Sequence, residues 1–400
     1  MATTNLMPDQ ATPAPTSTAL LISLASLDSD ALIRTLANIT QAFPDSLDQI
    51  LVATPDDVSL PQSSVRVLPY TPAAASNAGW TLSAADFLNA YTLVAEHHAE
   101  AVLILGAEAQ SLAPDALRAL ADAVLASRCD LATPRYQLQP RAGLVNSAIL
   151  YPTARALFGT RPRFPLAIDL GLSARAVEKL ATAAQRYTSA SQPDALLWPV
   201  SEIAVAGYTI TEVEAGTRTL PQPTAPDLNA LLAHVAGSLF ADVEAKAPYW
   251  QRARTAPPSR LAPHPPTLPD ASVAEEAGSM IDSFRLAFTN LQEIWSLVLP
   301  PQSLLGLKRL SAMQPASFSM PDALWARIVY DFLLAYRLRT INRGHLLGAM
   351  TPLYLAWVAS HLLQSAQTDP ERHIEAVAAA FEAEKPYLVS RWRWPDRFNP

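Results

Sequence analysis

Ala101-Val102-Leu103-Ile104-Leu105-Gly106-Ala107-Glu108-Ala109-Gln110 is the stretch on which the fold turns. Five apolar residues followed at once by glycine and a lone carboxylate read as a buried strand that delivers an acid to its carboxyl end. Ahead of it, Ser83 to His98 has apolar residues at 84, 87, 88, 91, 94 and 95, the spacing of an amphipathic helix. Behind it, Pro114 to Arg128 reads as another helix, with proline in the first turn where its missing N–H costs nothing. Further short apolar runs, Ala19–Leu24, Ile50–Ala53, Val65–Leu68 and Asp130–Thr133, suit strands. A helix capped by Asp28 or Ser29 runs to about Ala42 and is closed by Pro44. Strands alternating with helices indicate βαβ units, so residues 18–220 are expected to form a doubly wound α/β domain with a mainly parallel sheet. In such sheets ligands sit beyond the carboxyl ends of the strands, which puts Glu108 at the mouth of any site.

Composition narrows the partners. Charged residues make up 16% of the chain and the net charge is −7, so there is no basic field to hold a phosphate backbone, and nucleic acid is not an expected partner. The single cysteine, Cys129, excludes an intramolecular disulfide and fits a reducing cytoplasm as a small buried residue. Residues 1–17 lack the basic and apolar regions of a signal peptide and read as a disordered tail. No run approaches the roughly 18 apolar residues of a membrane span; the longest, Leu353–Leu363, is interrupted by Ser360 and His361.

After the α/β domain the reading is a connecting helical segment over 221–254, a proline-rich linker over 255–270 and a helical region over 271–400. In Asp322–Leu338 the apolar positions fall on one face, with Arg327 and Asp331 four apart on another. Trp325, Phe332, Tyr336 and Trp357 are read as core residues, with a homo-oligomer interface as the alternative. His345, His361 and His373 are too scattered for a zinc motif and read as ordinary helix or loop histidines.

Two features could carry chemistry. The segment 135–163 holds Arg135, Arg141, Arg155, Arg161 and Arg163 among aromatic residues, planar donors suited to a carboxylate or phosphate, or else arginines on a solvated helix face. Pro165-Leu166-Ala167-Ile168-Asp169-Leu170-Gly171-Leu172-Ser173 then leads into a helix capped by Ser173. Asp169, an acid in apolar surroundings, is either poised at a site or hydrogen-bonded structurally.

With the strand and its acid-bearing tripeptide, "YPTARALFG" (151–159), "LAIDLGLS" (166–173) and "VYDFLLAYRLRTINRGHLLGAMTPLYLAWVAS" (329–360), the chain resembles bacterial glycosyltransferases close to mannosylglycerate synthase. The resemblance covers roughly Ala19 to Trp394. It implies a GT-A fold, a Rossmann-like nucleotide-diphospho-sugar transferase domain, followed by a helical C-terminal region. It also implies a nucleotide sugar and a small-molecule acceptor as partners, and a divalent metal (Mn or Mg) held by a DxD-like motif. The sequence departs from that pattern where charge matters. Ala107-Glu108-Ala109 stands at the DxD-like position, and 214–219 lacks the family's histidine. The segment 166–173 lacks paired glycines, Ser76–Trp80 lacks a lysine, and Leu196-Leu197-Trp198 lacks an acid.

These departures leave two expectations. One is a hexosyltransferase acting without metal, with Asp169 near the acceptor, Glu108 near the ribose or diphosphate, and Arg135, Arg141, Arg161, Arg163 and Arg218 replacing the metal as an electrostatic clamp. The other is a catalytically inactive relative with a binding or regulatory role.

Overall fold

The computed structural model describes residues 18–55, 62–72, 80–125, 129–138, 142–221, 228–253, 272–366 and 368–395. The tail, the proline-rich linker, Arg141 and most of the Ser76–Trp80 loop lie outside these residues.

The strands are β1 (Leu20–Leu24), β2 (Ile50–Pro55), β3 (Arg66–Tyr70), β4 (Ala101–Leu105), β5 (Leu131–Gln137), β6 (Asp169–Ser173) and β7 (Ile210–Thr217). They form one sheet in the order β3-β2-β1-β4-β6-β5-β7. Every pairing is parallel except those of β6, which runs antiparallel between β4 and β5. Helices α1 (Ser29–Ala42), α2 (Ala84–His97), α3 (Pro114–Leu125), α4 (Tyr151–Phe158), α5 (Ala174–Ser189) and α6 (Pro199–Val205) accompany the sheet. The remainder is helical: α7 (Leu228–Ala245), α8 (Ala247–Trp250), α9 (Ser272–Asn290), α10 (Gln292–Ser296), α11 (Pro301–Ser311), α12 (Asp322–Leu338), α13 (Arg343–Ser365) and α14 (Pro370–Arg393). The architecture is a mainly parallel seven-stranded α/β sheet followed by a helical C-terminal region.

The apolar runs become strands because both faces of the sheet are covered, and Leu20–Leu24 and Ala101–Leu105 are buried throughout. Local caps fix the helix starts. The Asp28 carboxylate accepts from the Ala31 N–H at 2.8 Å, and Ser173 accepts from Ala176 at 3.3 Å.

Three expectations change. Residues 169–173, read only as a lead into the helix capped by Ser173, are β6, whose apolar run is too short to show a period but fills the slot between β4 and β5. Ile210–Thr217, not read as a strand, is β7 at the sheet edge. The segment at 151–158 is not a solvated helix face, since every residue of α4 is buried. The glycine at 171 explains how β6 enters. A Cβ there would lie 2.9 Å from the Leu120 carbonyl oxygen and 3.2 Å from Ala132 Cβ, so only glycine lets α3 lie against the strand.

Two cores result. One lies around the sheet with α1, α2, α3 and α5. The second joins α4 to α7 and to the helices from α9 onward, with Trp295, Trp325, Phe332 and Trp357 fully buried in it. These aromatic residues are therefore core. Arg343–Ser365 is long and apolar enough to cross a membrane by length and composition, but 78% of its apolar window is buried within the protein, the position of a core helix.

Polar groups also tie the helices. His361 and His373 meet with Nδ1 atoms 2.7 Å apart, and both rings stack on Trp357. Burial, then the neighbouring His373, push His361 down to about 3, so its ring stays neutral. Arg327 and Asp331 do not pair with each other; each reaches α14. Arg327 donates to Glu384 at 2.8 Å, and Asp331 accepts from Tyr387 Oη at 2.7 Å and from Arg391. Burial outweighs Arg391 and raises the Asp331 carboxyl to about 7.

Two predictions follow from this packing. Gly171→Ala is expected to lower stability by about 1–3 kcal/mol, the usual cost of overpacking, measured by denaturant unfolding. Because the folded state holds the Asp331 proton more tightly than the unfolded chain, this residue's contribution falls as pH rises from about 4 through 7. Asp331→Asn should flatten that part of the stability–pH profile, and an unchanged profile would refute the assignment.

Candidate functional site

Four strand ends meet at one edge of the sheet. Because β6 is antiparallel, its first residue rather than its last lies beside the carboxyl end of β4, and Asp169 pairs in register with Leu105. The β5–β7 ladder shifts register between Arg135 and Tyr136, setting Tyr136 opposite Gly216 just before Arg218. Gly106 closes the approach: a Cβ there would stand 2.9 Å from the Ile168 carbonyl oxygen.

The group at this edge is built on an ion pair. Asp169 and Arg218 both have fully buried side chains, at 0% exposure. Arg218 Nε donates to Asp169 Oδ2 at 2.9 Å, and Nη2 donates to Oδ1 at 3.1 Å. Nη2 also donates to the Ala107 carbonyl at 2.7 Å. Nη1 donates to the Glu108 carbonyl, to Ser111 Oγ at 2.8 Å and to the Thr219 carbonyl at 2.7 Å. One guanidinium thus meets six oxygen acceptors. Asp169 further accepts from Tyr136 Oη at 2.7 Å and from the Gly106 N–H at 3.2 Å. Burial, then the Asp169 charge, push the Tyr136 phenol well above its ordinary value, which keeps it a proton donor. Burial alone would discourage the Arg218 charge, but Asp169 reverses that and raises the group above its ordinary value.

The turn after β4 is fixed from both sides. Asn38 Nδ2 donates to the carbonyls of Gln110 and Leu112 at 3.1 and 3.0 Å. Glu108 takes a left-handed conformation, φ 61°, and its carboxylate accepts from Gln110 Nε2 at 2.8 Å. Ala109 is buried in the sheet core.

The remaining arginines lie elsewhere. Arg163 is buried and donates to Glu371 through Nε and Nη2, both at 3.1 Å, and to Ser147 Oγ at 2.9 Å. Arg135 lies 3.6 Å from Glu371 and 3.7 Å from Glu212. Arg155 binds Glu382 at 3.0 Å and Glu375 at 2.5 Å. These arginines hold α14 against the sheet domain. Arg161 is exposed, and Arg141 lies outside the described residues. Among the described residues expected to form one clamp, Asp169, Arg218 and the main chain of Glu108 come together.

Sequence reading assigned no role to Tyr136, Ser111 or the α14 glutamates. Glu371, Glu375 and Glu382 recur at helical spacing and form an acidic stripe. That stripe, matched against the 135–163 arginines, was the available signal.

The residues at the strand ends do not fit a divalent cation. Hard cations need several oxygen ligands with enough negative charge. Here the one buried carboxylate is neutralised by Arg218, whose guanidinium takes the oxygens that would face a metal. Among the described residues no group of three His, Cys, Asp or Glu is placed to share a cation.

No protein-family model matches the chain, and no curated protein matches it. Among solved structures, it is similar to glucosyl-3-phosphoglycerate synthase from Mycobacterium tuberculosis in complex with Mn2+, uridine diphosphate and glucosyl-3-phosphoglycerate. The identity there is 15%, over 57% of this chain and 79% of that one, with a TM-score of 0.36. It is also similar to a mannosyltransferase from Pyrobaculum calidifontis in complex with GDP-Man and Mn2+. The identity is 13%, over 98% of this chain and 91% of that one, with a TM-score of 0.34. Likenesses at this level carry no argument about chemistry.

Proposed function

We propose that this protein is a catalytically inactive glycosyltransferase-like protein with a binding or regulatory role, its strand-end site locked by an internal cation. The observation that carries this reading is the Arg218–Asp169 pair, with both side chains fully buried. An acid engaged by a guanidinium, a phenol and a backbone N–H has no oxygen left to act as a base on an acceptor hydroxyl. The alternative, metal-independent hexosyl transfer, needs free arginines to stabilise a leaving diphosphate. Among the described candidates, Arg218 is buried in the lock, Arg135 and Arg163 face Glu371, and Arg161 is engaged as well. The cytoplasm is the proposed compartment, in keeping with the lone buried Cys129.

Incubation of the full chain with a panel of nucleotide sugars and small hydroxylated acceptors, with and without manganese, is expected to give neither donor hydrolysis nor transfer. Turnover stimulated by manganese, or turnover that persists with a chelator, would overturn the reading.

The lock has its own test. Arg218→Ala leaves a buried carboxylate uncompensated and should cost about 3–5 kcal/mol. Millimolar guanidinium should restore much of the lost thermal stability in a saturable way, while urea should not, because only the cation replaces the missing charge and donors. The milder Arg218→Lys keeps the charge without the fork and should fall between the two. Equal stability of all three proteins would show that the pair is not a lock.

A further inference from the structure

The helical region contains a cavity unrelated to the strand ends. It has a volume of about 490 Å³ and is formed by α11, the turn after it and the first half of α12. This size falls in the range of small-molecule pockets. Its walls are mainly apolar, from Leu305, Leu310, Met313, Pro321 and Leu324. Gly306 sets the crossing beside it, since a Cβ at that position would come within 3.0 Å of both Leu324 methyl groups.

The polar part of the lining has one sign. Arg309 and Arg327 both line the cavity and, among the described residues, no acid does, although the chain has 36 acidic residues against 29 basic ones. Arg327 is anchored by Glu384 at 2.8 Å, with Gln302 Oε1 3.4 Å from Nη1. Arg309 is exposed, and its guanidinium has no hydrogen-bond or ion-pair partner among the described residues. Leu305, one turn before Arg309 on α11, is 48% exposed, an apolar side chain at the rim of an apolar cavity.

We propose that this cavity binds an amphiphilic anion, an aliphatic chain ending in a carboxylate, with the chain along Leu310, Met313 and Leu324 and the carboxylate at Arg309. Each alternative class conflicts with one part of the lining. A cationic amphiphile would meet the unpaired charge of Arg309, since Arg327 is already paired with Glu384. A small polar anion would leave the leucine and methionine walls unused, and an uncharged chain would leave the Arg309 charge without a counterpart. The site lies wholly in the helical region and does not depend on the state of Asp169 or Arg218.

The test is titration calorimetry of the full chain with laurate below its micelle concentration, beside dodecanol and dodecyltrimethylammonium. Saturable one-to-one laurate binding is expected, with dodecanol weaker and no binding of the cation. Arg309→Glu, on an exposed side chain, should weaken laurate about tenfold, the effect of removing one charge contact and placing a like charge there. Ala323→Trp, at an exposed lining position, should fill the cavity and abolish binding while the unfolding temperature stays unchanged. Failure of the wild-type chain to bind laurate would overturn the proposal. So would equal laurate binding by wild type and Ala323→Trp, or a cationic amphiphile that binds as tightly as laurate.

Discussion

A carboxylate with no access to water must be neutralised where it stands, and at the centre of this sheet the neutralising group is the Arg218 guanidinium. Desolvation makes an isolated buried charge far too costly to keep, and excellent geometry is needed for an ion pair to offset that cost. Asp169 meets the condition with bidentate contacts to Arg218, the Tyr136 hydroxyl and a backbone N–H. The same guanidinium draws in the carbonyls of Ala107 and Glu108 and the Ser111 hydroxyl, so the turn after β4, the start of β6 and the exit of β7 close on one cation. The position of the strand-end edge thus depends on one charge pair.

A second set of charges joins the helical region to the sheet domain. Arg155 and Arg163, on and just after α4, bind Glu371, Glu375 and Glu382 of α14, and Arg135 approaches the same face. Low exposure keeps these pairs from being screened as surface pairs are. The α4 helix lies in the second core, with Ala156, Leu157 and Phe158 packed among the C-terminal helices. Apolar packing and charge therefore act at the same seam, and arginines that resemble an anion clamp in sequence serve as its fastening. Function and fold use the same residue type, and only the location of the acids distinguishes the two uses.

Much of the sheet was legible in the sequence. The apolar runs at 20–24, 50–53 and 101–105 are strands, the Ser83 and Asp28 helix starts hold, and the alternation of elements gave the parallel α/β class. The missed strands have a common cause. β6 is five residues long and all but one of them are buried, so it shows no alternation, and β7 at the sheet edge is mixed in polarity. The scarcity of acids around 107–109 was also legible, because it is a matter of composition. Ala109 is in addition buried in the sheet core.

By itself the sequence determined the local elements and the poverty of acidic residues at the strand-end turn, because periodicity, caps and residue type act over a few neighbours. Tertiary structure alone decided which charges meet. Asp169 and Arg218 are 49 residues apart, and Arg163 and Glu371 are 208 apart. Neither pairing has a local signal. The reversed direction of β6 brings an acid at its first residue to the edge where its parallel neighbours end, and the register shift between β5 and β7 brings the arginine to meet it. An acid that could be read as catalytic or structural is thus brought against an arginine by chain direction and burial, which no count of residues contains.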